Sequence, residues 1–154
     1  MNTEDGRLDQ IDHAIVAELS RDGRLPVTTL AQRVGLSKTP CQNRLKKLID
    51  DGVIVGFCAV VSPEKLRLEH VAFVEIKLSD TRESALAAFN AAAVVVPEVE
   101  QCHLIAGNFD YLLKVRTRDI QEYRAVLGEK ISALPHVAST STHVSMQAVK
   151  DKAF

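Results

Sequence analysis

Arg24, Arg33, Lys38, Arg44, Lys46 and Lys47 lie between Arg24 and Ile49, and no Asp or Glu falls among them. Gln42 and Asn43 sit in the middle of this window. The amide of Gln or Asn pairs bidentately with the adenine edge in the major groove, and Lys or Arg does the same with guanine. Cations on the same surface attract phosphates whatever the base sequence. A merely solvated helix would more often set Glu beside Lys at i, i+4 spacing, and here no acid appears until Asp50. The formal net charge of −1 hides this asymmetry, because Asp9, Asp12, Glu18 and Asp22 precede the window and Asp50 and Asp51 follow it. A local basic face, not the sum over the chain, is what nucleic acid senses.

The elements needed to present these side chains are legible. Leu8 and Asp9 supply a hydrophobic N′ residue and an N-cap, and Ile11, Ile15 and Leu19 fall on one helical face. Asp22-Gly23 marks a turn. A short second helix is expected with Thr28 or Thr29 as cap and Leu30, Ala31 and Val34 inward, ended by Gly35 at a positive φ. Ser37 is the expected cap of a third helix, with Pro40 in its first turn and Cys41, Leu45, Leu48 and Ile49 as the buried stripe. Gly52 is a natural C′ residue. Three short helices with a glycine turn before the last form a helix-turn-helix, and such a recognition helix uses its N-terminal residues on the bases. Ser37, Lys38, Thr39, Gln42 and Asn43 are therefore placed at base edges, and Arg44, Lys46, Lys47, Arg24 and Arg33 at phosphates.

Beyond this unit the periodicity changes. Val53 to Val61 is β-branched and apolar and reads as an extended linker strand, and Glu64 to Glu69 as a charged loop. Strands are expected at Val71–Leu78, Val99–Ala106, Tyr111–Thr117 and Val137–Met146. Helices are expected at Thr81–Val94, burying Leu86, Phe89 and Ala93, and at Asp119–Leu134, burying Ile120, Tyr123, Leu127, Ile131 and Leu134. The order βαββαβ is the ferredoxin-like split-βαβ pattern. The fold expected is α+β: a three-helix, winged helix-turn-helix domain over 1–53, a linker strand and loop over 54–69, and a ferredoxin-like domain over 70–154. A four-stranded sheet with helices on one side leaves its other face open to a second copy, so a dimer is expected.

The remaining composition narrows the classes. Hydrophobic residues make up 46% and charged residues 25%, and no apolar run approaches the ~18 residues of a membrane span. The opening MNTEDGRLDQ is too polar for a secretory signal. Cys41, Cys58 and Cys102 are odd in number and carry no CxxC, which places the chain in a reducing cytoplasm without disulfides or structural zinc. Cys102-His103 lies on a strand, where neighbours point to opposite faces and do not chelate one metal. No GxSxG, P-loop or GxGxxG occurs. The expectation is a non-enzyme without metal or cofactor.

LDQID, RDGR, LAQRVGLS with TPC after it, RLKKLIDDGVI and VGFCAVVSPEKL resemble the N-terminal half of the Lrp/AsnC family of feast/famine regulators. PEVEQCHLIAGNFDYLLKVRTRD and SALPHVASTSTHV resemble its C-terminal half. The resemblance runs from about Leu8 to Lys150 and implies a DNA-binding transcriptional regulator whose ferredoxin-like domain dimerises and binds amino acids. It also implies further assembly to tetramers or octamers. Lys38 departs from the pattern, since relatives often carry a small residue or Pro there. By itself, Gly107-Asn108-Phe109-Asp110 is an ordinary hairpin turn. Matching positions in the family line an amino-acid pocket between neighbouring dimers. The resemblance makes Asp110 the acceptor for the effector ammonium. Its carboxylate would meet N–H groups around Gly107 and Asn108 and the hydroxyls of Thr140, Ser141 and Thr142, although the two threonines equally suit an ordinary strand. The run CHLIAGNFDYLLKVRTRD resembles regulators of amino-acid breakdown, with proline as the candidate effector. The rival expectations are an architectural DNA-compacting protein without a ligand and a small ferredoxin-like enzyme.

Overall fold

The structure, a computed structural model, describes residues 8–151; the polar opening segment and the last three positions expected in the second domain lie outside those residues. The chain forms two compact units, 8–60 and 61–151 among the described residues.

The first unit is three helices, α1 (Gln10–Arg21), α2 (Val27–Arg33) and α3 (Lys38–Asp50). Asp9 caps α1 in a reciprocal box: its Oδ1 accepts the Asp12 N–H at 2.8 Å, and Asp12 Oδ2 accepts the Asp9 N–H at 3.3 Å. Helix α2 starts earlier than expected. Pro26 is its N-cap, and no side chain bonds the first turn; the ring pre-sets the entry φ, so the threonines lie inside the helix. The exit is a Schellman turn, with the Leu36 N–H on Ala31 O at 2.8 Å and Gly35 at φ +72°. Ser37 is the N-cap of α3 by backbone position, and its hydroxyl makes no capping bond.

Ile15, Leu19, Leu30, Ala31, Cys41 and Leu48 form the core, with Leu45 and Ile54 packed against it. Ile49, expected in the stripe, is 44% exposed, because its angular position lies past the edge of the line through Cys41, Leu45 and Leu48. An alanine at Gly35 would meet no atom within 4 Å, so only the left-handed backbone opposes it. Gly35→Ala is expected to lower the unfolding free energy by about 1 kcal/mol, and Gly35→Asn by less, measured by urea denaturation.

Residues 55–62 carry no regular structure, so the expected linker strand is absent among the described residues. Val55 is 95% and Val60 81% exposed. A β-rich composition makes a strand only where another strand accepts its backbone hydrogen bonds, and none among the described residues does.

The second unit runs β1 (His70–Leu78), α4 (Glu83–Ala93), β2 (Val99–Leu104), β3 (Tyr111–Thr117), α5 (Ile120–Val126) and β4 (Val137–Val144). The sheet order is β2-β3-β1-β4, with every pairing antiparallel. Inserting β3 between β1 and β2 is the split-βαβ arrangement. Ala72, Val74, Ile76 and Leu78 alternate onto the helix-covered face with Leu113 and Val115. Phe89 of α4 stacks on Tyr111 with ring centroids 4.3 Å apart.

Helix α5 passes into a π turn, Leu127–Ile131, closed by the Ser132 N–H on Leu127 O at 2.8 Å. The extra residue per turn moves the buried stripe to Tyr123, Val126, Ile131 and Leu134. Leu127 is only partly buried, and Ile120, expected inside, is 48% exposed.

Candidate nucleic-acid interface and effector loop

The core stripe of α3 fixes what the helix shows outward. Opposite Cys41, Leu45 and Leu48, the residues Thr39, Asn43 and Lys46 fall in line at helical spacing, flanked by Gln42 and Lys47. Ser37, Lys38, Thr39, Gln42, Asn43, Lys46 and Lys47 are all exposed. A shallow concavity between the start of α2 and this surface is lined by Val27, Gln42, Asn43, Leu45, Lys46 and Ile49. Cys41 is fully buried, and burial pushes its thiol pKa up, so it belongs to the core.

The cations divide by partner. Among the described residues, Arg24, Lys38 and Lys47 take part in no salt bridge. Lys46 pairs with Asp50 at 2.6 Å across an exposed i, i+4 step, a contact that competition from phosphate breaks at little cost. Arg33 reaches Glu18 of α1 at 2.7 Å, and Glu18 is held below the ordinary carboxylate range chiefly by that bond. Arg44 is the cation of α3 most closely held by acids. Its Nη1 donates to Asp9 Oδ2 at 2.6 Å and to Asp12 Oδ1 at 2.8 Å, and the side chain is half-buried against α1.

Asp9, Asp12 and Glu18 are thus parts of the site that the sequence analysis placed only as helix-capping or bracketing acids. Their partners lie 15 to 35 residues away, beyond any periodicity. Only the coincidence of an acidic first turn with an otherwise acid-free helix hints at the pairing.

In the second unit, the loop between β2 and β3 is tied to β1. Ile105 N–H donates to Asp110 O and Asp110 N–H to Ile76 O, both at 2.8 Å, and Leu78 N–H donates to Asp110 Oδ2 at 2.7 Å. Lys77 Nζ donates to Asn108 O at 3.0 Å, a cation beside the loop that the sequence analysis missed. Gly107 has no positive φ, and a Cβ there would meet only Ile105 Cγ2 at 3.5 Å. Its lack of a side chain leaves the loop open without serving the backbone. Asp110 keeps one carboxylate oxygen beyond the Leu78 bond.

The hydroxyls expected to join this group do not converge. Thr140 and Thr142 lie opposite Ile76 and Val74 on the helix-covered face, whereas Ser141 lies opposite Glu75 on the other face. Thr142 Oγ1 is bonded to Tyr123 Oη at 2.6 Å. β4 is also separated from β3 by the whole of β1. Strand alternation sets Ser141 apart from the two threonines, with which the resemblance groups it.

No group of three or more His, Cys, Asp or Glu suited to a metal occurs among the described residues, and no described helix is long and apolar enough to cross a membrane. Residues 8–55 match the winged helix-turn-helix DNA-binding model, and residues 71–153 match the Lrp/AsnC ligand binding domain. The chain belongs to the Lrp/AsnC family of transcriptional regulators. This Lrp/AsnC regulator is 62% identical over 144 residues to the proline dehydrogenase transcriptional activator of Rhizobium radiobacter, covering 94% of this chain and 92% of that one. It is 44% identical to the leucine-responsive regulatory protein of Salmonella typhimurium, covering 93% and 87%. Among solved structures, an AsnC family transcriptional regulator from Agrobacterium tumefaciens superposes with a TM-score of 0.90 at 32% identity, covering 96% and 95%. A transcriptional regulator of Neisseria meningitidis in complex with L-Met superposes at 0.87 and 30% identity, covering 94% of each chain. The α+β architecture, a helix-turn-helix unit followed by a ferredoxin-like unit, is that of the family.

Proposed function

We propose that this Lrp/AsnC regulator reads operator DNA with the N-terminal half of α3 and that a free amino acid at the β2–β3 loop alters its assembly or DNA affinity. Lys38, Thr39, Gln42 and Asn43, with Ser37 at the helix entry, meet base edges. Arg24, Arg33, Lys46 and Lys47 meet phosphates. The observation that carries this reading is the exposed, amide-bearing face of α3, with no acid from Lys38 to Ile49.

For the effector, Gly107 and Asn108 provide backbone N–H groups, and the free oxygen of Asp110 accepts from an ammonium. Thr140, Ser141 and Thr142 contribute at most one by one, for the geometric reason above. Likeness to proteins named proline dehydrogenase transcriptional activators makes proline the first effector to try and amino-acid breakdown the first class of target gene. A homodimer assembling to a tetramer or octamer in the cytoplasm completes the proposal.

Isothermal titration of the full chain with the common amino acids tests the effector half. One amino acid is expected to give saturable heat, and Asp110→Asn to weaken it by about tenfold or more, since a charge-assisted hydrogen bond is lost. Asn still offers an acceptor to the Leu78 N–H, so Tm should barely move. Heat from no amino acid, with folded protein, would remove the effector from the proposal.

A further inference from the structure

The Arg44 guanidinium ends on the two carboxylates that cap α1. Each of these acids spends one oxygen on the helix backbone and the other on Arg44: Asp9 uses Oδ1 and Oδ2, and Asp12 uses Oδ2 and Oδ1. The start of α1 and the middle of α3 are therefore one hydrogen-bonded device. The Asp12 N–H first, and Arg44 second, hold the Asp9 carboxyl below its usual range, and the two acids raise the guanidinium in return.

Both bonds leave from Nη1, so a phosphate could meet only the remaining N–H groups of a guanidinium whose charge Asp9 and Asp12 already offset, and it would approach those two carboxylates as it did so. On the helical wheel Arg44 lies about 100° from Asn43 and farther from Thr39, away from the line presented to DNA. The contacts of Cys41, Leu45 and Leu48 with the core are apolar and non-directional, so they choose which face of α3 is buried but leave its exact roll about the axis loosely defined. Hydrogen bonds from a planar guanidinium are directional and supply that constraint.

We propose that Arg44 is a positioning residue and not a phosphate ligand: through Asp9 and Asp12 it sets the roll of α3 and hence the direction in which Gln42 and Asn43 point. The proposal rests on the reading of α3 as the DNA-contacting helix.

The test is a salt series of binding, by fluorescence anisotropy, to the DNA upstream of the protein's own gene. Wild type is compared with Arg44→Gln, Arg44→Lys and the pair Asp9→Asn/Asp12→Asn, all in the full chain. Positioning predicts that Arg44→Gln weakens binding about tenfold, the order of one lost base contact, with the slope of log K against log salt unchanged. Arg44→Lys should recover part of the loss. The asparagine pair should also weaken binding, although it removes two negative charges from the DNA-binding unit.

A phosphate role predicts a slope smaller by about one in Arg44→Gln and tighter binding by the asparagine pair; either result overturns the proposal. Asn is as good an N-cap as Asp, so the pair keeps the test decisive if Arg44→Gln does not fold. If wild type binds no DNA, the underlying reading of α3 fails. Amide exchange in the first turn of α1 then judges the clamp: faster exchange in Arg44→Gln supports it, and unchanged exchange overturns it.

Discussion

Gln42→Ala/Asn43→Ala is expected to weaken binding to the cognate operator by at least about thirty-fold, because each bidentate base contact is worth roughly 1–3 kcal/mol. Both side chains are exposed on α3 beside the Cys41–Leu48 stripe, so truncation leaves the core untouched and Tm should hold. Neither is charged, so the salt dependence should stay that of the wild type while discrimination between operator and unrelated DNA collapses. Loss of affinity with an unchanged slope marks base reading. An architectural protein that only compacts DNA would bind equally well with or without the two amides, and that outcome would move the function to phosphate contacts alone.

The second large effect is on stability. Phe89 is fully buried and stacks on Tyr111 at the centre of the ferredoxin-like core. Phe89→Ala removes that packing and leaves a cavity that the β1–β3 ladder resists collapsing into. The expected cost is about 3–5 kcal/mol, a large part of the 5–15 kcal/mol that typically separates folded from unfolded domains. Urea denaturation followed by far-UV circular dichroism should show the midpoint falling with little change in slope. A loss below about 1 kcal/mol would mean that α4 repacks, contrary to the tight contact described above. Phe89→Leu, which keeps more of the volume, should recover most of the loss.

Local rules made much of this protein legible. The Asp9 cap, the positive φ at Gly35 and Gly52, and the order βαββαβ each depend on residues a few positions apart, or on an alternation that one strand carries alone. The exposed face of α3 was legible for the same reason, since a helix that buries Cys41 and Leu48 must turn Asn43 outward.

What failed required partners. The Val53–Val61 segment has strand composition, but pairing is a property of two segments. The expected stripe sets Ile120 and Leu127 in line with Ile131 and Leu134, but the π turn at Leu127–Ile131 shifts the phase, so that Tyr123 and Val126 align with them instead. The family resemblance groups the hydroxyls of 140–142, and the register with β1 sets Ser141 on the face opposite the two threonines.

The sequence by itself determined the two-unit architecture and the exposed face of α3, because these follow from periodicity, caps and side-chain type. Tertiary structure alone decided which cations are free. Arg44 and Lys47 are three residues apart in one acid-free run, yet Arg44 is held by Asp9 and Asp12 while Lys47 has no salt-bridge partner among the described residues. A charge's availability depends on what the fold carries to within about 3 Å of it, and contacts across 32 and 35 residues lie beyond the reach of local periodicity.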